Sequence, residues 1–287
     1  VRYFIMVAAG AALWGFWPLF LHPAGLSGVQ NAFLAMATMA LISPFLLRRE
    51  SLKDRRATRA LVLMGVADAL NVALVFAAVK RGPVAIAILT HYLAPLLVAL
   101  TAPWVIRERR SLRALIGAPL TSLGLGMLIW KPGEDFSGWT AVLGGASAIF
   151  FAATVFCAKE AARAWSPIAV TSVHSAVGAL TLLILFRGSA LPPIEVPVLW
   201  VLAGGVVSGL IGNVLFNQGM RHIPTSTTGA LTYLEPLTAT VLGWLVFHEA
   251  LGLWGLLGGI LVLTVGVWVA TEPRTLGSPL PSISGTP

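Results

Sequence analysis

Apolar residues fall in continuous runs of roughly twenty, the length that crosses a ~30 Å hydrocarbon core as a helix. Short polar connectors separate the runs, which predict ten spans at 3–20, 29–47, 60–79, 83–106, 112–130, 138–158, 167–186, 198–219, 226–247 and 252–270. A membrane barrel would instead show alternating segments of about ten residues. In lipid every backbone N–H and C=O must be paired within the structure, and helices made from these runs achieve that. The expected fold class is therefore all-α integral membrane. The first run, Tyr3 to Phe20, has no small-residue cleavage site and is followed by further spans, so it is expected to be retained. From Thr271 onward Pro, Ser, Gly and Thr dominate, and 271–287 is expected to be a disordered tail.

Composition supports this reading. Of 287 residues 57% are hydrophobic and only 10% charged, against about 25% charged in a soluble domain. A water-facing surface of this size could not be coated with so few charges. The net charge of +8 does not form a stripe for nucleic acid, because the basic residues sit in the connectors. There they report topology. With the N-terminus in the cytoplasm, the inside segments hold 15 Lys and Arg and the outside segments hold 4, the bias that fixes orientation. The chain is thus expected to be a multi-pass protein of the cell (inner) membrane with both termini cytoplasmic. Trp104, Trp130, Trp139, Trp165 and Trp254 fall near span ends, where an interfacial aromatic belt would place them.

Candidate chemistry is sparse. The single cysteine, Cys157, excludes an internal disulfide and a CxxC site. His248-Glu249 continues as Ala250-Leu251-Gly252, so HExxH is missing, as are a P-loop, GxSxG and a Cys/His cluster. Neither enzyme chemistry, a bound metal nor a cofactor is expected, and ATP-driven transport by this chain is excluded.

The strongest pattern is internal. Pro83 to Pro95 reads PVAIAILTHYLAP and Pro224 to Pro236 reads PTSTTGALTYLEP. Tyr92 pairs with Tyr233, Pro95 with Pro236, Glu108 with Glu249 and Gly117 with Gly258, always 141 residues apart. An odd number of spans per copy requires the second to enter the membrane from the opposite side. The expected organisation is two inverted five-span repeats, 3–130 and 138–270, with a site near the midplane between them. The Tyr-Leu-x-Pro segment, a Glu at the span end and a Gly-rich last span, occurring twice, resemble the paired EamA domains of the drug/metabolite transporter superfamily. That resemblance implies ten spans, cytoplasmic termini, and export or exchange of small metabolites such as amino acids.

Polar residues inside the spans are the candidates for a substrate site, because ionisable groups in hydrocarbon tend to face a cavity or a partner. Asp68 and Asn71 share a helix face in the third span and could hold an ammonium group, a proton or a cation, or form a structural pair. Glu235 stands between Tyr233 and Pro236, and its counterpart at the 141-residue offset is Ala94. His91 adjoins Tyr92. Asn213 and Asn217 lie four apart in the eighth span, and Trp14 in the first could form a cavity wall. His174 in the seventh has less to support it. Pro95 and Pro236 free the carbonyls of His91 and Thr232. Glu108 and Glu249 each precede a helix and are expected to favour its N-terminal dipole. Gly205-x-x-x-Gly209 and Gly255-x-x-x-Gly259 suit close helix packing, or contact in a homodimer. The expected activity is a secondary carrier or facilitator, most simply an exporter, working by alternating access as a monomer or homodimer. A flippase for a lipid-linked intermediate, or an efflux carrier for other small molecules, is the alternative.

Overall fold

The computed structural model describes residues 1–21, 23, 25–47, 54–82, 84–108, 111–129, 137–191, 198–248 and 252–270. Several sequence features lie outside these residues: the tail 271–287, Pro83, Glu249, Trp130, and the basic residues Arg48, Arg49, Lys53, Arg109, Arg110, Lys131 and Arg274. Among the described residues the secondary structure is helical, with no strand.

The helices follow the apolar runs, and polar caps set several of their starts. In the first half these are α1 (Arg2–Trp14), α2 (Trp17–Leu21), α3 (Gly28–Ile42), α4 (Arg55–Val79), α5 (Val84–His91), α6 (Ala94–Val105) and α7 (Leu112–Ile129). The second half holds α8 (Gly138–Ala161), α9 (Pro167–Leu185), α10 (Val198–Gly204), α11 (Gly212–Met220), α12 (Thr225–Leu231), α13 (Leu234–Val246) and α14 (Leu253–Ala270). Ser27 and Gln30 form a reciprocal capping box at α3. Asp54 accepts from Arg56 N–H and Ala57 N–H at the start of α4, and Ser166 with Pro167 opens α9. A π-helical segment, Gly205–Ile211, joins α10 to α11.

Seven helical stretches are long and apolar enough to cross a membrane: Arg2–Phe20, Gly28–Leu46, Arg55–Val79, Ile86–Val105, Gly138–Ala161, Pro167–Leu185 and Val198–Met220. Leu112–Leu128 and Leu253–Val269 are shorter apolar helices. The α12–α13 segment is less apolar, carrying Thr225, Ser226, Thr227, Thr228, Thr232 and Glu235. Large apolar side chains point outward along the bundle, among them Leu63, Ile149, Leu180, Ile184, Leu199, Trp254 and Val267. Water would penalise such a surface, whereas lipid does not. The protein is a multi-pass helical membrane protein.

Packing joins the front of the chain to the back. Helix α4 lies along α8 and α9, α1 along α11, α3 along α9, α7 along α14, and α6 against α12. Leu61, Met64, Val155, Val170, Phe216 and Met220 form the largest buried cluster, while Tyr92, Leu125, Tyr233, Leu237 and Val262 form a smaller one. Two backbone details recur at a fixed separation. The α5/α6 break lies at Tyr92–Leu93 and the α12/α13 break at Thr232–Tyr233. Arg107 (φ 57°) and His248 (φ 54°), both left-handed, stand 141 residues apart, a conformation uncommon outside glycine.

Three expectations change. Trp165 is buried among Val170 and Ala57 instead of joining an interfacial belt, because it sits in the turn folded between α8 and α9. The closest approach in the last span uses Gly258, where a Cβ would come within 2.4 Å of Gly124 O; at Gly259 the nearest atom is a leucine methyl at 3.3 Å. Glu108 does not serve α7, which Ser111 caps through the Ala114 N–H. Its carboxylate instead accepts from the Thr225 N–H at 2.7 Å and the Thr225 hydroxyl at 2.9 Å, at the start of α12 in the other half. Four orphan N–H groups open any helix, and the chain brings this carboxylate to those of α12.

Candidate functional site

The deep polar residues gather where α4, α5, α9 and the α12/α13 break meet. Asp68 and Asn71 lie one turn apart on α4, and the Asn71 amide donates to Asp68 Oδ1 at 3.4 Å. The other carboxylate oxygen, Oδ2, is 2.7 Å from His174 Nε2 on α9. Asp68 is thus held from both sides. His174 is 2% exposed, and neither its Nδ1 nor Asn71 Oδ1 has a hydrogen-bond partner among the described residues. Buried polar atoms are nearly always paired, so these two are unused hydrogen-bonding capacity beside a carboxylate.

His91 closes α5. Its Nδ1 is 2.9 Å from Ser147 Oγ on α8, and the Ser147 hydroxyl donates to Gly144 O at 2.7 Å. With that proton committed, Ser147 accepts from His91 Nδ1–H, which leaves the lone pair of the neutral ring on Nε2. The His91 ring stands edge-on to Tyr92, centroids 4.9 Å apart, and is tilted against Phe151.

The helix breaks bring the two tyrosines together. Pro95 sits in the first turn of α6, where its missing N–H costs little. The carbonyl that a side chain meets is that of Tyr92, not His91: it accepts from Tyr233 Oη at 3.0 Å. Tyr233 Oη is also 2.9 Å from Ser122 Oγ on α7. The Tyr92 hydroxyl in turn hydrogen-bonds the Glu235 carboxyl. Glu235 occupies the first turn of α13, where the helix dipole favours a carboxylate. Asp68 lies within electrostatic reach of both His91 and Glu235. Both tyrosines are buried, whereas Asp68, His91 and Glu235 each keep part of their surface accessible.

Of the candidates read from the sequence, Asp68, Asn71, His91, Tyr92, Tyr233 and Glu235 therefore converge. The others border this group or turn to different partners. Trp14 packs on Phe216 with ring centroids 4.5 Å apart, and its neighbour Gly15 lies against the Glu235 backbone. The Asn213 amide donates to Gly209 O at 2.9 Å, and Asn217 donates to Thr171 Oγ1 at 3.4 Å. His174 and Ser147 enter the group although the sequence gave little reason to choose the first and none for the second. Among the described residues no cluster of three His, Cys, Asp or Glu could hold a metal ion.

One end of this region is tied shut. Lys159 Nζ at the end of α8 donates to the carbonyls of Met220, at 2.6 Å, and Ile223, and lies 3.8 Å from Glu108 Oε1. With Thr225 these residues join α6, α8, α11 and α12.

A helical bundle with outward apolar faces and ionisable groups at its centre defines a membrane transport protein. The chain belongs to the EamA-like transporter family, whose pattern it matches twice, over residues 1–130 and 138–271. It is 30% identical over 270 residues to an uncharacterized transporter of Archaeoglobus fulgidus, covering 92% of this chain and 94% of that one. An uncharacterized transporter of Pseudomonas aeruginosa is 26% identical over 265 residues, 87% of each chain. A crystal structure at 20% identity superposes with a TM-score of 0.77, over 94% of this chain and 96% of the other, which establishes a shared fold.

Proposed function

We propose that this transporter is a secondary carrier or facilitator that exports small polar or zwitterionic metabolites, amino acids among them, by alternating access. The observation that carries the reading is the meeting of Asp68 from the first half with Glu235 from the second, close to two broken helices. Two carboxylates within electrostatic reach form a natural seat for an ammonium group or a proton. The unused His174 Nδ1 and Asn71 Oδ1 add a donor or acceptor for the rest of a polar substrate. Charges deep in a membrane protein are costly and mark pathways for substrates or ions.

The working organisation is ten spans in two inverted repeats, 3–130 and 138–270. The packing supports it: α4 on α8 answers α11 on α1, while α3 on α9 and α7 on α14 are pairings of equivalent helices. The helix breaks and the left-handed Arg107 and His248 recur in step. Such halves can exchange conformations and present the site first to one side and then to the other. The ties among Glu108, Thr225 and Lys159 close one end in this conformation and must open in the other.

The test is counterflow in proteoliposomes loaded with an amino-acid panel, with and without an imposed pH gradient. Accelerated exchange of at least one amine-bearing solute is expected. No exchange of any small metabolite would move the function to translocation of a lipid-linked headgroup.

A further inference from the structure

We infer that the chain carries an anionic phospholipid site, separate from the central polar group, in a groove between α4, α6 and α8. The groove holds about 560 Å³ and is lined by Arg55, Arg56, Arg59, Leu63, Val105, Ile106, Phe156, Cys157 and Glu160 with Ala60. Three guanidinium groups therefore meet one carboxylate. That carboxylate is committed: Glu160 takes Arg56 Nε at 2.9 Å and Arg163 at 3.4 Å. Asp54 nearby spends its charge on the first N–H groups of α4. Arg55 and Arg59 have no ion pair among the described residues and lie on the exposed face of α4.

The ligand class follows from what stands beside the charge. Leu63 is 58% exposed and Val105 53% exposed, so an apolar wall runs directly from the guanidinium groups. A soluble phosphate would use the arginines and leave that wall bare. A phospholipid uses both, its phosphate on Arg55 and Arg59 and an acyl chain along Leu63, Val105 and Phe156. Basic pockets between spans recognise anionic headgroups in this way, and each basic residue contributes on the order of a fivefold gain in affinity.

The experiment is a titration of the purified full chain with phosphatidylglycerol and, separately, phosphatidylcholine, read by native mass spectrometry. One phosphatidylglycerol per chain is expected to bind in preference to phosphatidylcholine. Arg55→Ala with Arg59→Ala should weaken it about thirtyfold, and Arg55→Lys with Arg59→Lys should retain most of the affinity. Equal retention of the two lipids, or undiminished binding by the alanine variant, would overturn the assignment. Inorganic phosphate displacing the lipid at comparable concentration would overturn it in favour of a soluble anion. A second readout needs no variant. Cys157, the only cysteine in the sequence, lines the groove and should react with N-ethylmaleimide more slowly in phosphatidylglycerol nanodiscs than in phosphatidylcholine ones; equal rates would contradict the proposal.

Discussion

The phenolic hydroxyl of Tyr233 donates to the backbone carbonyl of Tyr92, 3.0 Å away, and the two residues are 141 positions apart in the chain. The separation is the one that relates the two similar halves of the sequence, so a residue is bonded to its own counterpart. The bond is not reciprocal. The Tyr92 hydroxyl goes instead to Glu235, the carboxylate that faces Ala94 across the offset. Tyr233→Phe should therefore strand a buried carbonyl, at a cost of about 1–3 kcal/mol. Tyr92→Phe keeps that acceptor satisfied and loosens only Glu235. Thermal unfolding in detergent should show the larger drop in Tm for Tyr233→Phe, and the larger loss of transport per degree of Tm for Tyr92→Phe. The reverse order would mean that the hydroxyl of Tyr233 is not structural.

Glu108 caps a helix in the opposite half. Removing it by Glu108→Ala should leave the start of α12 without its carboxylate and Lys159 without its nearest anion, and lower stability by about 1–2 kcal/mol. Thr225→Val keeps the backbone N–H bond and should cost less. Because these bonds hold one end shut, Glu108→Ala should also raise the reaction rate of a cysteine introduced at Thr225 or nearby with a membrane-impermeant maleimide. An unchanged rate would separate the cap from gating.

His174 is a positioning residue for Asp68. His174→Ala removes the 2.7 Å contact and leaves Asp68 held by Asn71 alone. Substrate affinity should fall more than maximal rate, with partial recovery in His174→Gln, which restores a donor. Equal, small effects of both variants would reduce His174 to packing.

Much of this arrangement was legible in the chain. Asp68 and Glu235 stand out because carboxylates are rare in long apolar runs, and Tyr92 with Tyr233 because their separation repeats. The helix breaks followed from Pro95 and Pro236. Contacts between spans were not legible. His174 sits on α9 with no polar pattern around it, and only the packing of α9 on α4 gives it a role. Ser147 likewise reads as one more small residue of α8 until His91 is placed beside it. Glu108 misled in the same way: helix-dipole logic looks to the next helix in sequence, whereas the orphan N–H groups it serves come from α12. Trp165 shows that nearness to a span end does not settle exposure.

Close helix contacts offer a stability test independent of the site. A Cβ at Gly258 would press on the backbone of Gly124 and Leu128, which cannot swing aside, whereas Gly266 has nothing within 4 Å. Gly258→Ala should destabilise by about 1–3 kcal/mol through the forced separation of α7 and α14. Gly266→Ala should be close to neutral. Equal Tm values for the two variants would show that α7 and α14 are not in contact.

The account turns on the carboxylates of the two halves serving one substrate site, and counterflow by Asp68→Asn, Glu235→Gln and the double variant measures this directly. Each single variant should lose most of the exchange seen in the unaltered protein while keeping its Tm within a few degrees, and the double variant should lose little more, since both act on the same bound solute. Unaltered exchange in either single variant, or losses that simply multiply in the double, would contradict a shared site.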